Sequence, residues 1–185
     1  MGHLAHTRFQ PLQIAVLTIS DTRTLETDVS GEVLVTELLD AGHDLVDRAL
    51  VKDDIWQIRA RVSHWIADAD VQVILLTGGT GFTERDNTPQ AVLPLLDKTV
   101  EGFGELFRQV SFDEIGTSTL QSRALAGFSN GTLICCLPGS PNACRTGWQK
   151  LLRAQLDSRT QPCNFVPHLK NRSGHAYTLC ESRAV

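Results

Sequence analysis

The sequence predicts an α/β protein, a three-layer α/β/α sandwich built on a mostly parallel sheet. Apolar runs of strand length, "LQIAVLTIS", "VQVILLT" and "GTLICCL", are nearly continuous, as in strands buried on both faces. Segments with apolar residues at helical spacing separate them, so strands and helices alternate along the chain. With 185 residues, 42% hydrophobic and 21% charged, there is enough chain for one well-buried domain and too little for two comfortable ones.

The first strand covers residues 12–20 and ends in Ser20 and Asp21. Leu34, Val35, Leu38 and Leu39 make a helical stripe over residues 31–41, which Gly42 stops. Residues 43–51 alternate well enough for a second strand, closed by Asp53 and Asp54. Ile55, Ile58, Val62, Trp65 and Ile66 then share one face of the clearest helix. After the third strand, "VQVILLT", comes a glycine-rich turn and a helix over residues 89–96, with Pro89 in its first turn and Pro94 set to kink or shorten it. Residues 101–114 and 117–126 are both expected to be helical. "GTLICCL" is a late buried strand, and "PGSPNACRTGWQKLLRAQL" is a second glycine-containing turn feeding a helix. Residues 10–169 form the predicted domain, with polar tails at 1–9 and 170–185.

Composition narrows the functional classes. A net charge of −4 gives no overall footprint for nucleic acid or a membrane surface. No apolar run approaches the length of a membrane span, and the N-terminus lacks a signal-peptide core. Five cysteines without CxxC spacing point to reduced thiols in the cytoplasm. The six histidines show no metal-ligand spacing, Ser140 lacks the GxSxG elbow, and Cys144 has no partner histidine that can be named.

If the strands are parallel, the junctions at Ser20-Asp21, Asp53-Asp54, residues 77–86 and Pro138-Gly139-Ser140 converge on one rim, where open sheets bind ligands. Gly78, Gly79 and Gly81 allow close backbone approach and an anion nest, although the glycines alone fit a plain turn equally well. Arg85 and Asp86 follow directly, a cation and an anion suited to a metal-bound phosphate. Mg²⁺ needs only one or two carboxylates besides phosphate and water, and Asp53 with Asp86 meets that requirement. Asp53 alone fits a solvated N-cap, and Asp86 a capping residue near Thr88. Ser122 and Arg123 offer a hydroxyl and a guanidinium to a phosphate, or a polar helix face.

"LTISDTR", "TGGTGFTERDNTPQA", "EGFGELFR", "GTSTLQSRA" and "LPGSP" together resemble the molybdenum cofactor biosynthesis family of MogA and MoaB, its MoaB branch above all, from about Gln13 to His168. The resemblance implies molybdopterin binding, a homotrimer or a hexamer of two trimers, and adenylylation of the pterin's phosphate by Mg-ATP. In that pattern Asp53 and Asp86 are the catalytic, Mg²⁺-holding acids. Gly78, Gly79, Thr80, Gly81, Pro138, Gly139 and Ser140 take the nucleotide, and Ser20, Ser118, Ser122 and Arg123 the molybdopterin phosphate. Two positions depart from it: Glu101 stands where Pro is frequent, and Asn142 where Lys is common. A binder that carries molybdopterin without transferring AMP is the alternative.

Overall fold

The computed structural model describes residues 8–170. Strands β1 (Gln13–Ile19), β2 (Asp44–Val51), β3 (Val73–Thr77), β4 (Lys98–Thr99), β5 (Leu125–Ser129) and β6 (Thr132–Leu137) form one sheet, ordered β2-β1-β3-β6-β5-β4. β1 pairs in parallel with β2 and β3, and β3 with β6; β5 runs antiparallel to β6, and β4 to β5. The sheet is therefore mostly parallel, and β1, β2, β3 and β6 deliver their carboxyl ends to one rim.

Helices α1 (Val29–Asp40), α2 (Ile55–Ala67), α3 (Thr88–Val92), α4 (Glu101–Ile115), α5 (Pro141–Gly147) and α6 (Arg153–Gln155) cover the sheet, with a π-helical segment (Trp148–Leu152) between the last two. Residue parity along the strands assigns the layers. Ile14 and Val16 of β1 join Leu34 and Leu38 of α1, Phe103 and Phe107 of α4, and Trp148 in one core. Ala15, Leu17 and Ile19 join Ile58, Val62 and Trp65 of α2, with Ala91 and Val92 of α3, in the other. Both faces exclude water, which is why the strand sequences show so little alternation.

Local chemistry sets the boundaries. α1 starts at Val29, capped by Asp28, whose Oδ1 accepts the Gly31 N–H at 2.9 Å. Gly42, at φ +88°, takes the chain out of it. α3 passes into a 3₁₀ turn at Leu93–Leu95, around Pro94.

One expected helix is absent. Residues 117–126 form a 3₁₀ segment (Gly116–Gln121) and then enter β5. Gly116, at φ +56°, ends α4, and Asn130-Gly131 (φ +49° and +72°) closes a two-residue hairpin between β5 and β6. That Asn-Gly pair was the available sequence signal.

Most of the two expected tails lies outside the described residues. Of their described parts, Phe9 packs against His43 with the rings tilted by 44° and 5.2 Å between their centres, and Lys170 N–H donates to Gly131 O at 2.8 Å. Among the described residues no helix is long and apolar enough to cross a membrane.

Candidate functional site

Beyond Thr77 the chain turns through Gly78 and Gly79, at φ +104° and +65°, a conformation open to glycine and strained for other residues. A methyl on Gly78 would meet the Ile19 carbonyl, and one on Gly79 would lie 2.5 Å from Asp53 Oδ2. Gly81 has ordinary backbone, yet a methyl there would lie 2.9 Å from Asp86 Oδ2. The missing side chains are what allow two carboxylates to close on one loop.

Asp53 is only 6% exposed. Its Oδ1 accepts the Asn87 N–H at 3.0 Å, and its own N–H donates to Asp21 Oδ1 at 3.2 Å. It is neither solvated nor a helix cap. Asp54 caps α2 instead, accepting the N–H groups of Trp56 and Gln57 at 3.0 and 2.9 Å. Asp86 does not cap α3 either. Its Oδ2 accepts the Thr83 N–H at 2.8 Å and the Thr83 hydroxyl at 2.6 Å, closing the turn before the helix.

The two acids differ in proton affinity. Burial pushes the Asp53 carboxyl up, bonds from Asn87 oppose this, and the charges of Asp86 and Asp21 reinforce it. At Asp86 burial also acts upward, but the Thr83 hydroxyl and N–H, the Gly81 N–H and the Arg123 charge together hold the group below the ordinary value. Such a donor set suits a hard cation that completes its shell with phosphate oxygens and water. Among the described residues no group of three or more His, Cys, Asp or Glu is placed to hold a metal by itself.

Arg85 pairs with Asp21 through both carboxylate oxygens, Nε to Oδ2 at 2.9 Å and Nη2 to Oδ1 at 2.6 Å, strapping the glycine loop to the loop after β1. Arg123 clasps the same loop from the other side. Its Nε donates to Gly81 O at 2.8 Å and its Nη2 to Asp86 O at 2.6 Å, while Phe82 lies under the guanidinium at 5.2 Å.

Two cavities open beside the loop. The larger, about 430 Å³, is bounded by Gly78 to Gly81, Asp86, Ser118, Ser122, Pro138 to Ser140, Phe107 and Glu114. The smaller, about 250 Å³, includes Ser20, Arg23, Asp28 and Ser30. Ile19 and Gly139 belong to both. Sequence-predicted Ser118 and Ser122 thus share the larger cavity with the glycine loop, whereas Ser20 faces the smaller one across the Gly139 ridge. Gly139 itself is close-packed, since a methyl there would lie 3.2 Å from Gly78 Cα. Asp53 and Arg123 support the loop from outside these linings.

Several contributors escaped sequence reasoning. Asp28, 4% exposed, accepts the Thr18 hydroxyl at 2.6 Å and pairs with Arg48 at 3.1 Å, while Ser30 donates to Gly139 O at 2.8 Å. The Asp-Val-Ser-Gly order is an N-cap signal that could have located them. Glu114 could not have been found this way, because α4 and α5 must pack before it meets Asn142 and Thr146. Cys144 is fully buried beside Thr77 Oγ1, and burial raises its thiol to about 11, which removes it as a nucleophile.

The family model described as a probable molybdopterin binding domain matches residues 15–158. Molybdenum cofactor biosynthesis protein B of Escherichia coli K12 is 59% identical over 164 residues, 89% of this chain and 96% of that protein. Among solved structures, one molybdenum cofactor biosynthesis protein B superposes with a TM-score of 0.77 at 44% identity, covering 80% of this chain and 92% of the other. The tungsten cofactor synthesizing protein MoaB from Pyrococcus furiosus does so at 0.70 and 33%, over 77% and 91%.

Proposed function

This chain belongs to the molybdopterin binding domain family of the molybdenum cofactor biosynthesis proteins, and from that premise we propose that it binds molybdopterin and adenylylates it with Mg-ATP. One observation carries the proposal: Asp53 and Asp86 close on a single glycine loop where two cavities share a wall. Two neighbouring basins suit two reactants that must meet at phosphorus.

In the reaction, an oxygen of the pterin's phosphate monoester forms a bond to the α-phosphorus of ATP, and the bond to the leaving pyrophosphate breaks. The monoester is already anionic at neutral pH, so the protein needs no general base. Its tasks are in-line positioning and charge neutralisation. The N–H groups of the glycine loop serve the phosphates, and Ser118 and Ser122 orient the acceptor phosphate. Asp53 and Asp86 would hold Mg²⁺, which supplies neutralising charge to the nucleotide phosphates and the leaving pyrophosphate. Arg85 and Arg123 keep the loop in register by holding Asp21 and the loop carbonyls.

Among the described residues the larger cavity has neither Lys nor Arg in its lining, and Asn142 is bonded to Glu114 there. That favours, as a second reading, a molybdopterin carrier without transfer activity. Incubating the protein with Mg-ATP and molybdopterin, then measuring adenylylated pterin and pyrophosphate, separates the two. The transferase forms both products and Asp86→Asn loses most of the turnover; pterin binding without either product refutes it. A homotrimer or hexamer also fits, since Leu106, Phe112, Ile115 and Leu120 of α4 and the following turn are exposed apolar residues. Sedimentation equilibrium checks it, and a monomer at micromolar concentration excludes it.

A further inference from the structure

Glu114 is an acid in a cavity that an anionic ligand is proposed to enter, and no phosphate would choose it. Its Oε2 accepts the Asn142 Nδ2 at 2.7 Å, and its Oε1 accepts the Thr146 hydroxyl at 2.9 Å. Both donors belong to α5, so α4 and α5 together fix the plane of the carboxylate. None of the described ion pairs includes it. The Thr146 hydroxyl also lies 3.2 Å from Oε2, and since an ionised carboxylate accepts at about four lone-pair sites, these two donors leave acceptor capacity on the carboxylate.

What such a carboxylate fits is a ligand edge with two parallel N–H donors, as in the fork of a guanidinium. The 2-amino-pyrimidin-4-one edge, with its 2-amino group and adjacent ring N–H, has that pattern. Pterins and guanine share it; adenine does not, because a ring acceptor would face the carboxylate. The same cavity offers Phe107 and Ile115 as apolar wall and Ser118 and Ser122 for a phosphate. We infer that Glu114 is the specificity-determining residue of the larger cavity, reading the amino-pyrimidinone edge of the bound ring while Ser118 and Ser122 take its phosphate end. This rests on the molybdopterin-binding reading and adds to it the residue that recognises the ring.

The test uses pterin, lumazine (2-oxo in place of 2-amino) and guanosine monophosphate, titrated by fluorescence or calorimetry without ATP or Mg²⁺. Wild type is expected to prefer pterin to lumazine at least tenfold, a conservative figure for a site built around hydrogen-bonding groups. Glu114→Ala should abolish the preference. Asn142→Lys, which leaves Glu114 in place but pairs it with an ammonium, should weaken pterin binding as well. Guanosine monophosphate binding more tightly than pterin with the same Glu114 dependence would assign the edge to a guanine nucleotide and overturn the pterin source. Equal affinity for pterin and lumazine in wild type, or a preference that survives Glu114→Ala, overturns the inference. Because transfer is measured separately, a protein that discriminates the ring yet forms no adenylylated product loses the transferase reading alone.

Discussion

Gly79→Ala tests the loop on which the site depends. At φ +65° an alanine costs about 1–2 kcal/mol in backbone strain. Its methyl would also collide with Thr88 Oγ1 and lie 2.5 Å from Asp53 Oδ2, so one of these groups must move. Thr88 Oγ1 donates to Gly78 O at 2.8 Å, and Asp53 Oδ1 accepts from Asn87 N–H at 3.0 Å. Loss of either bond adds about 1–3 kcal/mol. The sum, roughly 2–5 kcal/mol, corresponds to a fall in melting midpoint of roughly 5–15 °C for a chain of this size. Calorimetry with a matching urea titration measures it. Gly102→Ala is the control: a methyl there has no neighbour within 4 Å, and helical alanine should stabilise by up to about 1 kcal/mol. If Gly79→Ala melts with wild type, Gly79 is not left-handed in solution and Asp53 does not press on the loop.

Asp28→Ala removes the α1 cap and leaves Arg48, whose Nε already lacks a partner, without its buried carboxylate; about 3 kcal/mol should be lost in urea unfolding, and a loss below about 1 kcal/mol would place the pair in solvent. Burial drives His43 from 6.5 down to about 4, against the charges of Asp157 and Asp44. The unfolded chain therefore takes the proton first, and stability falls as pH drops from about 6.5 towards 4, by about 3 kcal/mol in all. His43→Gln should remove that slope; an unchanged pH profile contradicts it. Among the described cysteines Cys163 is exposed and Cys135, Cys136 and Cys144 are buried. Cys163→Ser should therefore remove one fast-reacting equivalent with a thiol reagent, and rapid labelling of the other three without unfolding would refute their burial.

Legibility varied by element. The inner strands were plain because both faces are buried, leaving unbroken apolar runs. β5 was hidden because Gly127 and Ser129 leave only three apolar side chains in Leu125–Ser129, and its identity rests on pairing with β6. The closeness of Asp86 to the glycine loop was legible from its place just beyond the glycines. The role of Asp53 was not, since two adjacent acids precede α2 and only packing shows that Asp54 caps while Asp53 turns beneath Gly79.

Sequence alone determined the α/β alternation, the rim of loops and the family, because periodicity, turn chemistry and motif spacing are local properties of the chain. Tertiary structure decided which side chains meet. It joined Arg85 to Asp21 across 64 residues, set Ser20 across the Gly139 ridge from Ser118 and Ser122, and turned Glu114 towards Asn142. Those contacts arise between elements far apart in the chain, and their distances exist only once the sheet has brought its strand ends together.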